Sequence, residues 1–370
     1  MDVQSRNLSL DVFRGLTICF MIIVNTAGNG DCVYWPLEHA AWHGFTPTDL
    51  VFPSFLFAVG SSIFFSKRSW DKMDSSDVIL KILKRAAIIF LLGYLMYWFP
   101  FVRHTDGGLA FKPFHNTRVM GVLQRIALCY AVGGILIYKF SFKQLIGIGI
   151  SLLLLYWALM AWGGDYEMLT NLGQKIDLTL FGESHLYHGE GVAFDPEGLL
   201  STIPSIVNVI GGFIVTCYLM YDKGIDKNKL MRLALMGFGL LILSWVWNIW
   251  FPINKKLWTS SFVLQTVGWD MLILSFLSYL VEMLGIKRGT SFFYIAGRNP
   301  LFLYLLSELL AILLYFFRTP GGKSFYSSIY ENVFSYAGCY LGSFLFALSF
   351  MLVCWTAGWF LNKKGWYIKV

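Results

Sequence analysis

Charge is scarce in this chain. Asp, Glu, Lys and Arg make up only 14% of its 370 residues, against about 25% in soluble proteins. That scarcity excludes a nucleic-acid binder and a disordered chain, and leaves the formal charge of +7 to be read as a topological signal. Cysteine is scarce too: there are six, with no spacing of a disulfide framework or a zinc site, which excludes a disulfide-rich secreted scaffold. Internal repeats, heptads and low-complexity linkers are missing. A removable leader is not expected either, because Asp11 and Arg14 interrupt the first apolar run and no small-residue cleavage site follows it.

What is abundant is apolar sequence, at 56% of residues. A bilayer crossing takes about 20 such residues, and runs of that size fall near 8–28, 47–66, 80–101, 119–138, 144–163, 198–221, 231–250, 259–284, 292–317 and 334–361. The expected fold is an all-α, polytopic integral membrane bundle of about ten transmembrane helices, with residues 1–370 as a single domain. The stretch 251–258 reads as a short turn or a partly embedded loop. Lys and Arg concentrate in cytoplasmic loops. With the amino terminus inside, eighteen of the 29 basic residues lie inside, Arg6, Lys223 and Lys369 among them, eight lie outside, and Arg14, Arg125 and Arg298 fall within spans. Both termini are therefore expected to be cytoplasmic.

Polar groups inside a membrane are costly and are functional suspects by default. Asp11 and Arg14, three apart on one helix face, can pair with each other or guide an anion. Arg298 and Asn299 open the ninth run, where a guanidinium and a helix start suit a phosphate, although Arg298 can also snorkel to lipid headgroups. Gln124, Arg125, Asn208, Gln265, Asp270 and Glu308 lie within other runs, where hydrogen bonding between helices accounts for most such side chains.

All six histidines, at 39, 43, 104, 115, 185 and 188, fall in the outside loops. Histidine exchanges a proton near neutral pH, and acyl transfer to an amine needs a base for that proton. The richest stretch runs from Asn25 through His39 and His43 to Asp49. His39 and His43 have the i, i+4 spacing of metal ligands, but no third ligand is near and Gly44 weakens the helix, so no metal is expected.

The run LSLDVFRGLTICFMIIVN, followed by LEHAAWHGFTPTDLVFPSFLFAVGSSIFFS, resembles the heparan-α-glucosaminide N-acetyltransferase family, in particular its compact bacterial members. RVMGVLQRIALCY at 118–130, HLYHGEGVAFDPEGLLSTIPSIV at 185–207, PINKKLW at 252–258 and FFYIAGRNPLFLYLLSE at 292–308 follow in the family's order, so the resemblance covers nearly the whole chain. It implies an integral-membrane acetyltransferase that takes acetyl from cytoplasmic acetyl-CoA and passes it to a glucosamine-type amine, free or at the end of a glycan, on the opposite face. It also implies a bacterial inner-membrane location among membrane lipids and a homodimer. The amino-terminal lumenal domain of the animal enzymes is expected to be lacking.

His39 matches the family's catalytic histidine, Asn25 the asparagine ending the first span, and Asp49 the Asp of the DLVFP element. His43, where animal enzymes carry Asn, and Arg298, before the matching Asn299, depart from the pattern. On this resemblance Arg14, Arg298 and Asn299 hold the coenzyme, and His39 acts as base or acyl carrier with Asn25 on the thioester carbonyl and Asp49 behind the ring. His188, Asp195, Glu197, Asn254 and Trp258 shape the acceptor pocket, Trp258 by stacking on the sugar, though the FDPEG element also reads as a turn and helix cap. A permease for amino sugars or cell-wall fragments is the alternative, since helices with midplane polar groups also describe a transporter. Acyl transfer to a hydroxyl is a third reading.

Overall fold

Asn7 starts the first helix: its side chain accepts the Leu10 N–H, a standard cap, and Asp11 faces the positive end of the helix dipole. The computed structural model describes residues 7–105, 108–220 and 224–368; Arg6, Lys223 and Lys369 lie outside the described residues. Helix α1 spans Leu8–Asn25, and a loop with a 3-10 turn at Pro47–Leu50 leads into α2, Val51–Trp70. There follow α3 (Ser75–Trp98), α4 (Val122–Lys139), α5 (Phe142–Trp162), the short α6 (Leu172–Phe181), α7 (Thr202–Met220), α8 (Lys227–Trp247) and α9 (Ser260–Ser278). The chain closes with α10 (Thr290–Arg298), α11 (Pro300–Phe316), α12 (Phe325–Ile329) and α13 (Cys339–Lys363).

Among the described residues, eight helices are long and apolar enough to cross a membrane, as an all-α polytopic protein requires. The expected run 80–101 is α3, long enough but carrying Asp77, Lys81, Lys84 and Arg85 in its first half. The expected run 292–317 is not one helix: α10 and α11 meet at an angle of 81°. Pro300 has no N–H to donate and disfavours the helical conformation for Asn299, which sits at φ −133° and ψ 52°. A small hairpin, β1 (Val102–Thr105) paired antiparallel with β2 (Gly108–Phe111), lies in the connection from α3 to α4.

Two close crossings hold α1 against α10 and α2 against α7. A Cβ on Gly15 of α1 would meet the Phe293 carbonyl oxygen of α10 at 1.7 Å, and one on Gly297 would meet the Asp11 carbonyl at 2.2 Å. Likewise a Cβ on Gly60 of α2 would lie 1.9 Å from the Val209 carbonyl of α7, and one on Gly212 would lie 1.9 Å from that of Phe57. Backbones approach this closely only through glycine. The first crossing draws the ends carrying Arg14 and Arg298 together. Because α2 returns antiparallel to α1, the Arg14 end of α1 shares a face with the second half of α2. Asn25 and Asp49 mark the opposite face.

Cys32 and Cys339 form a disulfide, with Cα atoms 5.6 Å apart, although the cysteine spacing shows no disulfide framework. The two lie 307 residues apart in sequence, so no local spacing could announce the pair. It fastens the loop between α1 and α2, which carries His39, to the start of α13.

Candidate active site

His39 projects from the loop before α2, and its Nδ1 lies 2.7 Å from Asp49 Oδ1. Asp49 closes the capping box of the Pro47–Leu50 turn. Its Oδ2 accepts the Thr46 N–H at 2.9 Å, the Thr46 hydroxyl at 3.1 Å and the Ala40 N–H at 3.2 Å. The carboxylate is thus fixed before it meets the ring, and its side chain is 0% exposed against 40% for His39. A carboxylate only accepts, which assigns the ring proton to Nδ1 and the lone pair to Nε2. The Lys255 Nζ, 3.2 Å from Nε2, is a donor and agrees with that tautomer. Burial and the Lys255 ammonium hold the His39 pKa below the ordinary histidine value, outweighing the Asp49 carboxylate. The ring is therefore neutral at physiological pH and presents its basic nitrogen toward Lys255.

His39 and His43 do not share a helix; the segment is irregular loop. The His43 Nδ1 instead faces the Asn254 amide at 3.3 Å. Asn254 is fully buried and accepts the Leu257 N–H at 2.8 Å, so it shapes the turn that presents Lys255 rather than an open pocket. The expectation that Trp258 stacks on a sugar is corrected. Its ring is 0% exposed, enclosed edge-on by Phe52 and Phe262, with Nε1 donating to Asn208 at 3.1 Å and the Arg125 guanidinium over its face at 4.8 Å.

Asp195 and Glu197, assigned from sequence to the acceptor, are buried against Arg118. Its Nε and Nη2 make a bidentate pair with Asp195 at 2.8 and 2.6 Å, and Nη2 also reaches Glu197 at 2.6 Å. The guanidinium also lies over the rings of Tyr97 and Tyr187, 5.0 and 4.6 Å from their centroids. Burial pushes the Glu197 carboxyl upward, but Arg118, Arg125 and Lys255 hold it below the ordinary value. The FDPEG element is a turn, in which Asp195 also accepts the Glu197 N–H at 3.0 Å, and α7 starts only at Thr202. Of the five residues assigned to the acceptor, His188 alone is exposed, its Nδ1 directed at the Leu186 carbonyl at 3.0 Å.

Asn25 ends α1 exposed, its Nδ2 donating to Glu308 of α11 at 3.4 Å. The two halves of this face join through Tyr97, whose hydroxyl accepts from Arg118 at 3.3 Å and lies within electrostatic range of both Glu197 and Glu308. Glu197 in turn acts on His39 and Lys255. Arg118 and Lys255 are central here but were not singled out from the sequence. Both stand in RVMGVLQ and PINKKLW, two of the blocks that carry the family resemblance, which was the available signal.

The opposite face holds a cavity of about 680 Å³ walled by α1, α2, α3, α4 and α10. Arg14, Lys81, Arg85 and Arg298 all line it. Arg14 pairs with Asp11 at 3.0 Å and donates to the Ser62 hydroxyl at 3.0 Å, so the ion pair and the anion-facing position coexist. Arg298 donates to the Tyr294 hydroxyl at 2.7 Å, and its guanidinium lies 3.8 Å above the Tyr367 ring. Asn299 takes a different part from the one expected. It accepts the Ile368 N–H at 2.9 Å and donates to the Trp366 carbonyl at 3.1 Å, pinning the tail that supplies Tyr367.

Residues 6–179 match the family model for the catalytic region of heparan-alpha-glucosaminide N-acetyltransferase. The chain is 30% identical over 359 residues to the mouse heparan-alpha-glucosaminide N-acetyltransferase, covering 81% of this chain and 53% of that protein. To the human protein of the same name it is 31% identical over 360 residues, covering 80% and 52%. It spans about half the length of these curated relatives.

Proposed function

We propose that the chain, placed with the heparan-alpha-glucosaminide N-acetyltransferase family by the match over residues 6–179 together with 30% and 31% identity over 81% and 80% of its length, moves acetyl from acetyl-CoA on one side of a membrane to an amino sugar on the other. The observation that carries the reading is the polarity of the α1–α2 pair. One end opens on a cavity lined by four cations, and the other carries a histidine held by a buried carboxylate.

Arg14, Lys81, Arg85 and Arg298 hold the nucleotide phosphates by charge-assisted hydrogen bonds. The acetyl group reaches the His39 face between the helices. There Nε2, the nitrogen that Asp49 leaves without a proton, serves as the base toward the sugar amine or as the carrier of the acetyl group. The Asn25 amide, released from Glu308, supplies a hydrogen bond to the thioester oxygen as charge develops, a contribution of about 3 kcal/mol. The acceptor is a glucosamine-type amine, free or terminal on a glycan.

The cationic cavity is the cytoplasmic side by the distribution of Lys and Arg. The Cys32–Cys339 disulfide beside the other face supports an oxidising compartment there. In a bacterium these are the cytoplasm and periplasm across the inner membrane. The deciding experiment follows acetyl transfer from radiolabelled acetyl-CoA to glucosamine by purified protein in detergent, for wild type and His39→Ala. Turnover lost in a variant that still binds coenzyme A supports the reading. Folded wild type that binds no coenzyme A overturns it in favour of the permease.

A further inference from the structure

We propose that Lys255 is an internal acetyl acceptor: when no amino sugar is present, the chain transfers acetyl from acetyl-CoA to its own Lys255 Nζ. This rests on the donor chemistry proposed above. The Nζ stands 3.2 Å from His39 Nε2, the distance at which an acceptor amine must stand for that nitrogen to take its proton. Lys256, one residue on, is engaged elsewhere, 2.6 Å from the Glu190 carboxylate and 3.0 Å from the Ala41 carbonyl. Lys255 is directed instead at an imidazole, which brings no negative charge to retain the ammonium proton. Burial lowers its pKa below the ordinary lysine value, against the opposing pull of Glu197 and Asp49, so the neutral amine forms more readily than on a surface lysine.

The step balances without a further reagent. The neutral Nζ attacks the thioester carbon, an N–C amide bond forms and the C–S bond breaks. His39 Nε2 takes the proton lost by Nζ and returns it to the departing sulfur. The products are N-acetyl-lysine and the thiol of coenzyme A. The acetyl-lysine has lost its charge and leaves an acetamide where the sugar amine must enter. A copy so modified is closed to the sugar, whereas sugar at saturation displaces Lys255 from Nε2 and protects it.

The test incubates the full chain in detergent with radiolabelled acetyl-CoA and no sugar, then maps acetylated peptides by mass. The expected result is label on Lys255 exceeding that on Lys256 by roughly a hundredfold or more, the scale of base catalysis. That label is lost in His39→Ala and in Lys255→Arg, both checked for retained coenzyme binding, and is suppressed by added glucosamine. Activity toward glucosamine measured afterwards falls in proportion to the label. Glucosamine acetylated while Lys255 stays unlabelled overturns this inference alone. Equal label on Lys255 and Lys256 that survives His39→Ala also overturns it, as uncatalysed acetylation. No label on sugar or lysine, in a chain that binds coenzyme A, overturns it together with the donor chemistry.

Discussion

Asp49 and Lys255 address opposite edges of one imidazole, 2.7 Å from Nδ1 and 3.2 Å from Nε2 of His39. The carboxylate sets the tautomer while the ammonium opposes protonation of the free nitrogen. Replacing Asp49 by Asn keeps the shape but removes the charge that assigns the ring proton. Asp49→Asn is expected to lower kcat by about 10²–10⁴-fold, with the KM for acetyl-CoA little changed. Steady-state kinetics with glucosamine as acceptor check it.

The same pair sets the pH profile. On the proposed mechanism the neutral ring is the active form, so the rate is expected to rise with pH through the His39 pKa, which lies below the ordinary 6.5. The acid limb of kcat/KM is expected below that value. Lys255→Gln removes a cation that lowers the pKa, and the limb moves up. Asp49→Asn removes a charge and a hydrogen bond that raise it, and the residual activity shows the limb moved down. A shift of the two variants in the same direction contradicts this placement of charges.

At the other face, Arg298→Ala removes a guanidinium from the cationic cavity. One charge-assisted hydrogen bond contributes about 1.5–3 kcal/mol, so coenzyme A binding is expected to weaken by about 10–100-fold in calorimetry. Acetyl transfer from a small thioester that lacks phosphates should be unaffected by the same substitution.

Asp177 gives a stability test away from the chemistry. Burial raises its carboxyl to about 6, while Oδ1 accepts the Leu199 N–H at 3.0 Å. A raised pKa in the fold means that the stability present below the ordinary 3.8 is lost as pH rises through about 6. A shift of roughly two units corresponds to about 3 kcal/mol. Asp177→Asn keeps an acceptor without the charge, so its Tm in detergent is expected above wild type at pH 7.5, with the difference vanishing near pH 4.

Gly60 tests the helix crossing. With a Cβ placed 1.9 Å from the Val209 carbonyl, Gly60→Ala forces α2 from α7. Overpacking of this kind costs about 1–3 kcal/mol. A lowered Tm is expected, with activity falling in step because α2 carries the support of His39 at its start. An unchanged Tm would show that the two backbones part without cost.

The helical membrane architecture was legible from the apolar runs because a span is a local property of about 20 residues. The break between α10 and α11 was written in Asn299-Pro300, yet apolar residues on both sides hid it from a hydropathy reading. His39 and Asp49 were legible through their block of sequence, ten residues apart. Pairings over longer separations were not. Nothing local links Arg118 to Asp195 or Cys32 to Cys339, because each pair is brought together only by the folded chain. Trp258 misled for another reason. An indole has the same appearance in a sequence whether it faces a sugar or is enclosed by Phe52, Phe262 and Arg125.

The α2 helix and the turn before it also fix a length. Asp49, behind His39, and Ser62, on the guanidinium of Arg14, are thirteen residues apart, about 20 Å at helical rise. On the proposed reading the protein is therefore a gauge as well as a catalyst: a donor must carry its anionic head and its reactive carbon that far apart to engage both ends at once. Acetyl phosphate, with the same acyl group and a suitable charge, is too short to do so.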